Sequence, residues 1–264
     1  MSLRDLLENK LPDEELLLVP QGFEVIGDIA IIIIPPSLDY KKNIIAQALM
    51  SHRQDIRSIL RKISKLESEK RIGDFELLLG SSTETIHREN GCIFHLDIAK
   101  TFFSGKLAYE RARIAESVRD GEDILVLFAG VGPFLIQIKK KRNVNITGIE
   151  SNPVACAYLR KNALANNIDT GIILGDANSA GNLFKKKFDR IVMPTPYGHD
   201  HFLNVSSTVL KPGGLVHFYT FKKDFEIGHF KRVLEERGWK INFIRNCGAV
   251  APRVNRYVFD LQLH

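Results

Sequence analysis

Cysteine is scarce in this chain of 264 residues: Cys92, Cys156 and Cys247 stand far apart, odd in number and with no Cys-x-x-Cys pair. That excludes a disulfide framework and a cysteine-built zinc site, and fits reduced, mostly buried thiols in a cytoplasmic protein. Long apolar runs are missing too. The aliphatic run 29–34 is stopped by Pro35-Pro36, so it reads as a buried strand, and nothing approaches the length of a membrane span. No signal peptide, internal repeat or low-complexity tract is visible. The histidines lack metal-ligand spacing: His87, His95, His199 and His201 are expected in surface or capping roles, with no metal. A full Gly-x-Gly-x-x-Gly is absent, which argues against a dinucleotide or triphosphate cradle. Acids are the minority among the charges, 31 against 37 Lys and Arg, and the net charge of +6 favours an anionic partner such as nucleic acid. An apolar fraction of 44% still allows a normal core, and the length has room for a cofactor domain plus a smaller one.

What is present is a series of strand ends. Residues 124–134 read Ile-Leu-Val-Leu-Phe-Ala-Gly-Val-Gly-Pro-Phe, an apolar strand running into a glycine turn. Ile146-Thr-Gly-Ile-Glu150 follows as a second strand closed by a carboxylate, and Asn152-Pro153 opens a helix behind it. A third strand, 171–174, ends at Gly175-Asp176, and a fourth, 188–193, opens onto Pro194-Thr195-Pro196-Tyr197. A helix near 201–210, the turn 211–214, a strand over 215–220, an amphipathic helix over 225–237 with Trp239 as core, and a final strand over 257–263 complete the pattern. Strands alternating with helices predict a parallel sheet with crossover helices. A carboxylate at the second strand end suits ribose hydroxyls, and Asp176 suits an adenine amino group. A nucleoside without phosphates therefore fits best, and S-adenosylmethionine is the expected cofactor. Its expected contacts are Phe128, Ala129, Gly130, Val131, Gly132, Pro133 and Phe134 in the turn, then Glu150, Ser151, Asn152, Asp176 and Ala177.

The first part of the chain reads differently. Residues 23–34 predict two strands about Gly27-Asp28, and 40–50 predict a helix with Ile44, Ile45, Ala48 and Leu49 on one face. A basic stretch of Arg53, Arg57, Arg61, Lys62, Lys65, Lys70 and Arg71 is either a solvated face or an RNA-contacting one. A polar, charged segment over 82–91 precedes a strand over 92–98, and 108–118 reads as a helix leading into the sheet. The expected division is a small α+β domain with its linker helix over 1–115 and an α/β domain over 116–264. Lys139–Arg142 and Lys185–Lys187 are expected as helix-end and loop charges within reach of RNA phosphates.

Thr85-Ile-His-Arg-Glu-Asn-Gly91, Phe103-Ser104, Glu110-Arg111, Phe128-Ala-Gly-Val-Gly-Pro-Phe134, Phe188-Asp-Arg-Ile-Val-Met193, Gly213-Gly214 and His217-Phe-Tyr219 occur in that order. As a set they resemble the archaeal and eukaryotic tRNA (guanine-37) N1-methyltransferases over roughly residues 22–260. Wyosine-pathway relatives of that family include a methyltransferase acting on a tricyclic base and an aminocarboxypropyl transferase. The resemblance implies a Rossmann-like class I S-adenosylmethionine-dependent methyltransferase domain preceded by a small α+β RNA-binding domain. It implies tRNA, at the anticodon region, as the partner, with no membrane and no obligate protein partner. Many members carry a further small N-terminal domain, for which the twenty-odd residues before Phe23 are too few. Glu110 matches the family's general base for the guanine N1 proton. Arg88 matches an arginine that stabilises charge on the guanine oxygen. Phe102, Lys106, Tyr197, Arg253 and Arg256 fall at positions expected to face substrate or RNA. Without the resemblance, Glu110 reads as a helix-surface carboxylate beside Arg111 or Arg113.

Three positions depart from the family pattern. Val126 stands in place of an aspartate, Phe102 in place of a tyrosine, and Pro194 in place of the asparagine of Asn-Leu-Pro. Proline has no side-chain acceptor and no N–H, so methylation of an exocyclic amine is not expected. With Pro194 and Pro196 shaping the target pocket, the expected reaction is methylation of the base at position 37. Its target is N1 of guanosine and also a carbon of the tricyclic wyosine intermediate. The alternatives are aminocarboxypropyl transfer and a catalytically silent RNA-binding relative.

Overall fold

The computed structural model describes residues 2–63, 74–184 and 188–263. Two compact units emerge: Met1–Glu89 with Ile93–Gly105, and Asn90–Cys92 with Lys106–His264. In the first, a one-turn helix α1 (Asp13–Leu16) precedes β1 (Glu24–Ile26) and β2 (Ile29–Ile32), an antiparallel pair turning at Gly27 as expected. Gly27 has φ +59°, and a Cβ there would lie 2.0 Å from Thr85 Oγ1, so the turn admits glycine alone. Helix α2 (Lys42–His52) carries the chain across to β3 (Ser58–Lys62), parallel to β2, and β4 (Phe75–Leu79) completes the order β1-β2-β3-β4. A parallel pair needs such a crossover. The core of this unit gathers Leu3, Leu7, Leu11, Leu16 and Val19 with Ile32, Ile45 and Leu49.

Sequence and structure part at three places in this unit. The buried arc of α2 is Ile45, Ala46, Ala48 and Leu49, whereas Ile44 lies at the arc's edge and is 38% exposed. The basic stretch contains a strand, and its arginines meet acids: Arg53 with Asp55 two residues on, and, from elsewhere in the chain, Arg57 with Asp28 and Arg61 with Asp39 and Glu76. Lys65, Lys70 and Arg71 lie outside the described residues, as do Lys185–Lys187. The polar segment 82–91 holds β5 (Glu84–Glu89), paired with β6 (Cys92–Asp97) as a two-stranded sheet. Its turn is Asn90-Gly91, with φ 49° and 73°, the left-handed pair that a two-residue hairpin requires.

The second unit is built in the order α3 (Ala108–Ser117), β7 (Asp123–Leu127), α4 (Pro133–Lys141), β8 (Asn145–Glu150), α5 (Pro153–Ala165), β9 (Gly171–Leu174), α6 (Ala180–Leu183), β10 (Phe188–Pro194), α7 (Leu203–Val209), β11 (Leu210–Lys222), α8 (Ile227–Glu236), β12 (Trp239–Ala251) and β13 (Val254–Leu263). Helix α3, expected as a linker in the first domain, falls in this unit. Seven strands form one sheet in the order β12-β13-β11-β10-β7-β8-β9. The pairs from β11 to β9 are parallel, while β13 runs antiparallel to both β11 and β12. From β7 the chain moves outward through β8 and β9, then returns to the other side of β7 as β10. That reversal opens a crevice at the carboxyl ends of β7 and β10, the place where open α/β sheets bind ligands. Trp239 is buried in the core with Phe188, Phe218 and Phe259, as expected. The turn 211–214 is looped out within β11: the pairing jumps from Phe188↔Leu210 to Arg190↔Leu215. Lys139 and Arg142 close the end of α4 on the Val144 and Glu116 carbonyls. Among the described residues no helix is long and apolar enough to cross a membrane.

Candidate active site

At the carboxyl end of β7 the backbone coils tightly: Phe128, Gly130 and Gly132 all have positive φ, at 56°, 57° and 92°. Pro133 then starts α4 at the position proline prefers. The Glu150 carboxylate holds this turn to the next strand end, accepting from Gly130 N–H through Oε2 and from Asn152 N–H through Oε1, each at 2.7 Å. Asn152 caps α5, accepting from Val154 and Ala155 N–H. Gly175 N–H donates to the Glu150 carbonyl at 2.9 Å, which sets exposed Asp176 beside this pair of strand ends. Asp176 and buried Ala177 open a short 3-10 turn, and Ser151 is exposed. Each Glu150 oxygen keeps a lone pair beyond its backbone donor. These residues fit a ribose and adenine. Val126 is buried between Val192 and Gly148 in the sheet, so its departure from aspartate falls in the core.

Three expected site elements meet at one ring. Tyr219, buried on β11, lies opposite Pro194 in register, stacks 5.4 Å from Phe134 of the glycine turn, and donates its hydroxyl to Glu110 Oε2 at 3.2 Å. Glu110 is 2% exposed, so it is not the surface carboxylate that its neighbours in sequence suggest. Arg113, one turn on, donates to the same Oε2 at 3.0 Å. The other oxygen, Oε1, is buried and takes no hydrogen bond among the described residues. One carboxylate oxygen thus holds two donors while, among the described residues, its twin holds none. Burial, then the charge of Glu110, raises the Tyr219 hydroxyl well above its ordinary pKa, so it stays a donor.

Behind Glu110 runs a chain of buried charges that the sequence did not reveal. Arg113 grips Asp260 with two bonds, at 2.6 and 3.1 Å. Asp260 meets His217 Nδ1 at 2.7 Å, and His217 Nε2 meets Arg190 Nη1 at 2.6 Å. Arg190 in turn holds Glu122 at 2.6 and 2.9 Å. Arginine only donates, so Nε2 must accept and the imidazole proton sits on Nδ1, donating to Asp260. Burial lowers the His217 pKa, consistent with this neutral tautomer. Burial alone would raise the Asp260 carboxyl, but the bonds from His217 and Arg113 outweigh it and hold it at about 2. In the sequence, Arg190, His217 and Asp260 show only as polar residues within otherwise apolar strands, with nothing to say that they meet.

The remaining expected residues divide between the units. Arg88 is exposed on β5 and Phe102 half-buried, both in the first unit. Lys106 is exposed. Pro194 and Pro196 are buried at the end of β10, and Thr195 N–H folds back onto the Met193 carbonyl at 2.8 Å. Tyr197 is 63% exposed and stacks 5.6 Å from Phe221, whose ring is covered on β13 by the Arg256 guanidinium at 5.2 Å. Arg256 is itself buried, which leaves Arg253, exposed at φ 62° in the β12–β13 turn, as the accessible arginine of that pair. His199 and His201 pack about Phe202, and no group of metal-ligating side chains occurs among the described residues.

Residues 85–242 match the TRM5/TYW2 methyltransferase domain, and residues 3–83 match the TYW2 N-terminal domain. The chain belongs to the TRM5/TYW2 methyltransferase family. It is 37% identical over 263 residues to a tRNA (guanine(37)-N(1))-methyltransferase Trm5b of Pyrococcus abyssi, covering 96% of this chain and 78% of that one. It is 29% identical over 276 residues to a tRNA(Phe) (4-demethylwyosine(37)-C(7)) aminocarboxypropyltransferase of Pyrococcus horikoshii, covering 99% and 96%. Among solved structures, a complex of aTrm5 and tRNALeu superposes with a TM-score of 0.88 at 30% identity, over 100% of this chain and 78% of that one. Pyrococcus horikoshii TYW2 in complex with MeSAdo superposes at 0.77 and 27% identity, over 98% and 97%. The TRM5/TYW2 fold accounts for both units, the α/β sheet and the N-terminal domain.

Proposed function

We propose that this chain binds S-adenosylmethionine and tRNA and transfers a methyl group to the base at position 37, on N1 of guanosine. The observation that carries this is the Glu110 carboxylate, with Oε2 held by Arg113 and Tyr219 and Oε1 buried without a hydrogen bond among the described residues. When bound, S-adenosylmethionine supplies an electrophilic methyl group on its sulfonium. Glu150 and Asp176 hold its nucleoside, and the turn Phe128-Ala-Gly-Val-Gly-Pro-Phe134 leaves room for it. Guanine N1 is a weak nucleophile while it keeps its proton. Glu110 Oε1 removes that proton as the nitrogen attacks, a contribution worth about 10²- to 10⁴-fold in rate. Arg88 offsets negative charge on the base oxygen. Exposed Lys106 and Arg253 meet backbone phosphates of the anticodon region, and Tyr197 offers a face for a base. A cytoplasmic location follows from that substrate.

Pro194 extends the substrate range. With no side-chain acceptor at the end of β10, the loop leaves the base to be held by shape and carbonyls, which suits a carbon of the tricyclic wyosine intermediate as well. A second possibility, transfer of the aminocarboxypropyl group from the same sulfonium, is favoured by one observation: the N-terminal domain matches that of TYW2.

Glu110→Gln tests the central step. Single-turnover transfer to guanosine-37 tRNA is expected to fall by about 10²-fold or more while cofactor affinity holds; an unchanged rate would remove Glu110 as the base. Pro194→Asn is expected to abolish transfer to the tricyclic base and spare guanosine. Unchanged activity on both would show that this loop does not select the base.

A further inference from the structure

Strand β12 forms the sheet edge, and two of the three irregularities in its pairing with β13, at Ile241/Phe243 and Asn246/Ala249, bracket the segment between them. Bulges of this kind re-aim side chains beside functional sites. Here the alternate residues Phe243, Arg245 and Cys247 face the polar side of α3. Phe243 packs under the Arg113 guanidinium at 4.6 Å. Arg245 stacks on the Tyr109 ring at 4.0 Å and places Nη1 3.5 Å from Glu110 Oε1. Cys247 shares that field: burial first, then Glu110, pushes its thiol up to about 11. The Tyr109 ring is 61% exposed and the Arg245 side chain 39%.

The one oxygen able to take a proton is therefore shut off by a cation too distant for a hydrogen bond. No base can reach Oε1 unless something moves, and Arg245 is the half-exposed group beside it. We propose that Arg245, carried on Tyr109, is a base-recognition gate over Glu110: it covers Oε1 in the free protein and swings aside to hold the incoming base. The argument rests on the methyltransferase function proposed above. Once displaced, the guanidinium stays next to Oε1, so the site presents an acceptor and a donor side by side. That pair is complementary to a lactam edge, an N–H next to a C=O, as guanine carries at N1 and O6. Adenine, with an acceptor N1 beside an amine, offers the reverse order. The neighbouring Arg113 is held away from that role by its three hydrogen bonds to Asp260 and Glu110 Oε2.

The experiment compares wild type, Arg245→Ala, Arg245→Lys and Tyr109→Leu in single-turnover methyl transfer to guanosine-37 tRNA, with cofactor affinity measured by calorimetry. Arg245→Ala is expected to slow transfer roughly tenfold or more, the usual cost of one charged hydrogen bond, with cofactor affinity unchanged. Added guanidinium ion restores part of the loss, which a structural role would not allow. Arg245→Lys keeps the charge but not the planar stack and falls between. Tyr109 is exposed, so Tyr109→Leu leaves the fold intact and decides the matter if Arg245→Ala fails to fold; a several-fold loss is expected. Rates within twofold of wild type for both, or a loss that guanidinium leaves untouched, overturn the gate. No transfer by the wild type itself overturns the function it rests on, and is told apart by that control.

Discussion

At the scale of single residues, His217 makes acid costly. Its imidazole is neutral in the fold because burial lowers its pKa below the ordinary 6.5, and because Arg190 donates to Nε2. The unfolded chain takes up a proton there first, so stability is full above the unfolded pKa and falls as the pH drops below it. Asp260, held at about 2 against an ordinary 3.8, behaves likewise at lower pH: its contribution is present above about pH 4 and is lost as the pH falls toward 2. Denaturant midpoints are therefore expected to drop between pH 7 and 5, and His217→Gln to flatten that slope while lowering stability at pH 7. An unchanged slope in the variant would mean that the imidazole is protonated in the fold. These partners were illegible in the sequence because Arg113, Arg190, His217 and Asp260 are remote along the chain and meet only through sheet pairing. Glu150 was legible, since it closes an apolar strand.

Among the elements, β7 to β10 could be read from sequence because each is an apolar run ending in a glycine, proline or carboxylate. The hairpin strand β5 could not: Glu84-Thr-Ile-His-Arg-Glu89 buries only its Thr85 and Glu89 side fully, and its one clear signal was the Asn90-Gly91 turn. Strand β3 was hidden by Arg61 and Lys62, which look like part of a solvated charge run until Asp39 and Glu76 arrive beside Arg61. Strand β12 is an edge, mostly exposed, and so carries no strong alternation. The turn after β7 is the element proposed above to make room for the cofactor. A Cβ on Gly132 would lie 2.2 Å from Leu159 Cδ1 and 3.0 Å from Ile136 Cδ1, at φ 92°. Gly132→Ala is expected to cost about 1–3 kcal/mol in a denaturant titration and to weaken cofactor binding by calorimetry. Wild-type values for both would show that the turn tolerates a side chain.

For the molecule as a whole, the two units answer different questions. The α/β unit explains the chemistry: the crevice at the β7–β10 reversal, the carboxylate that ties β8 to the glycine turn, and Glu110 poised on Tyr219 and Arg113. The N-terminal unit matches the TYW2 domain, while the full chain is more identical to an N1-methyltransferase than to an aminocarboxypropyltransferase. The two transfers use one sulfonium and differ in which group leaves it. They are separated by nucleoside mass spectrometry of tRNA incubated with the protein and S-adenosylmethionine, with either guanosine or the tricyclic intermediate at position 37. One methyl group on guanosine 37 is the predicted result, with a methyl also gained by the tricyclic base. An aminocarboxypropyl group on the tricyclic base with guanosine untouched, or no transfer to either, would contradict it.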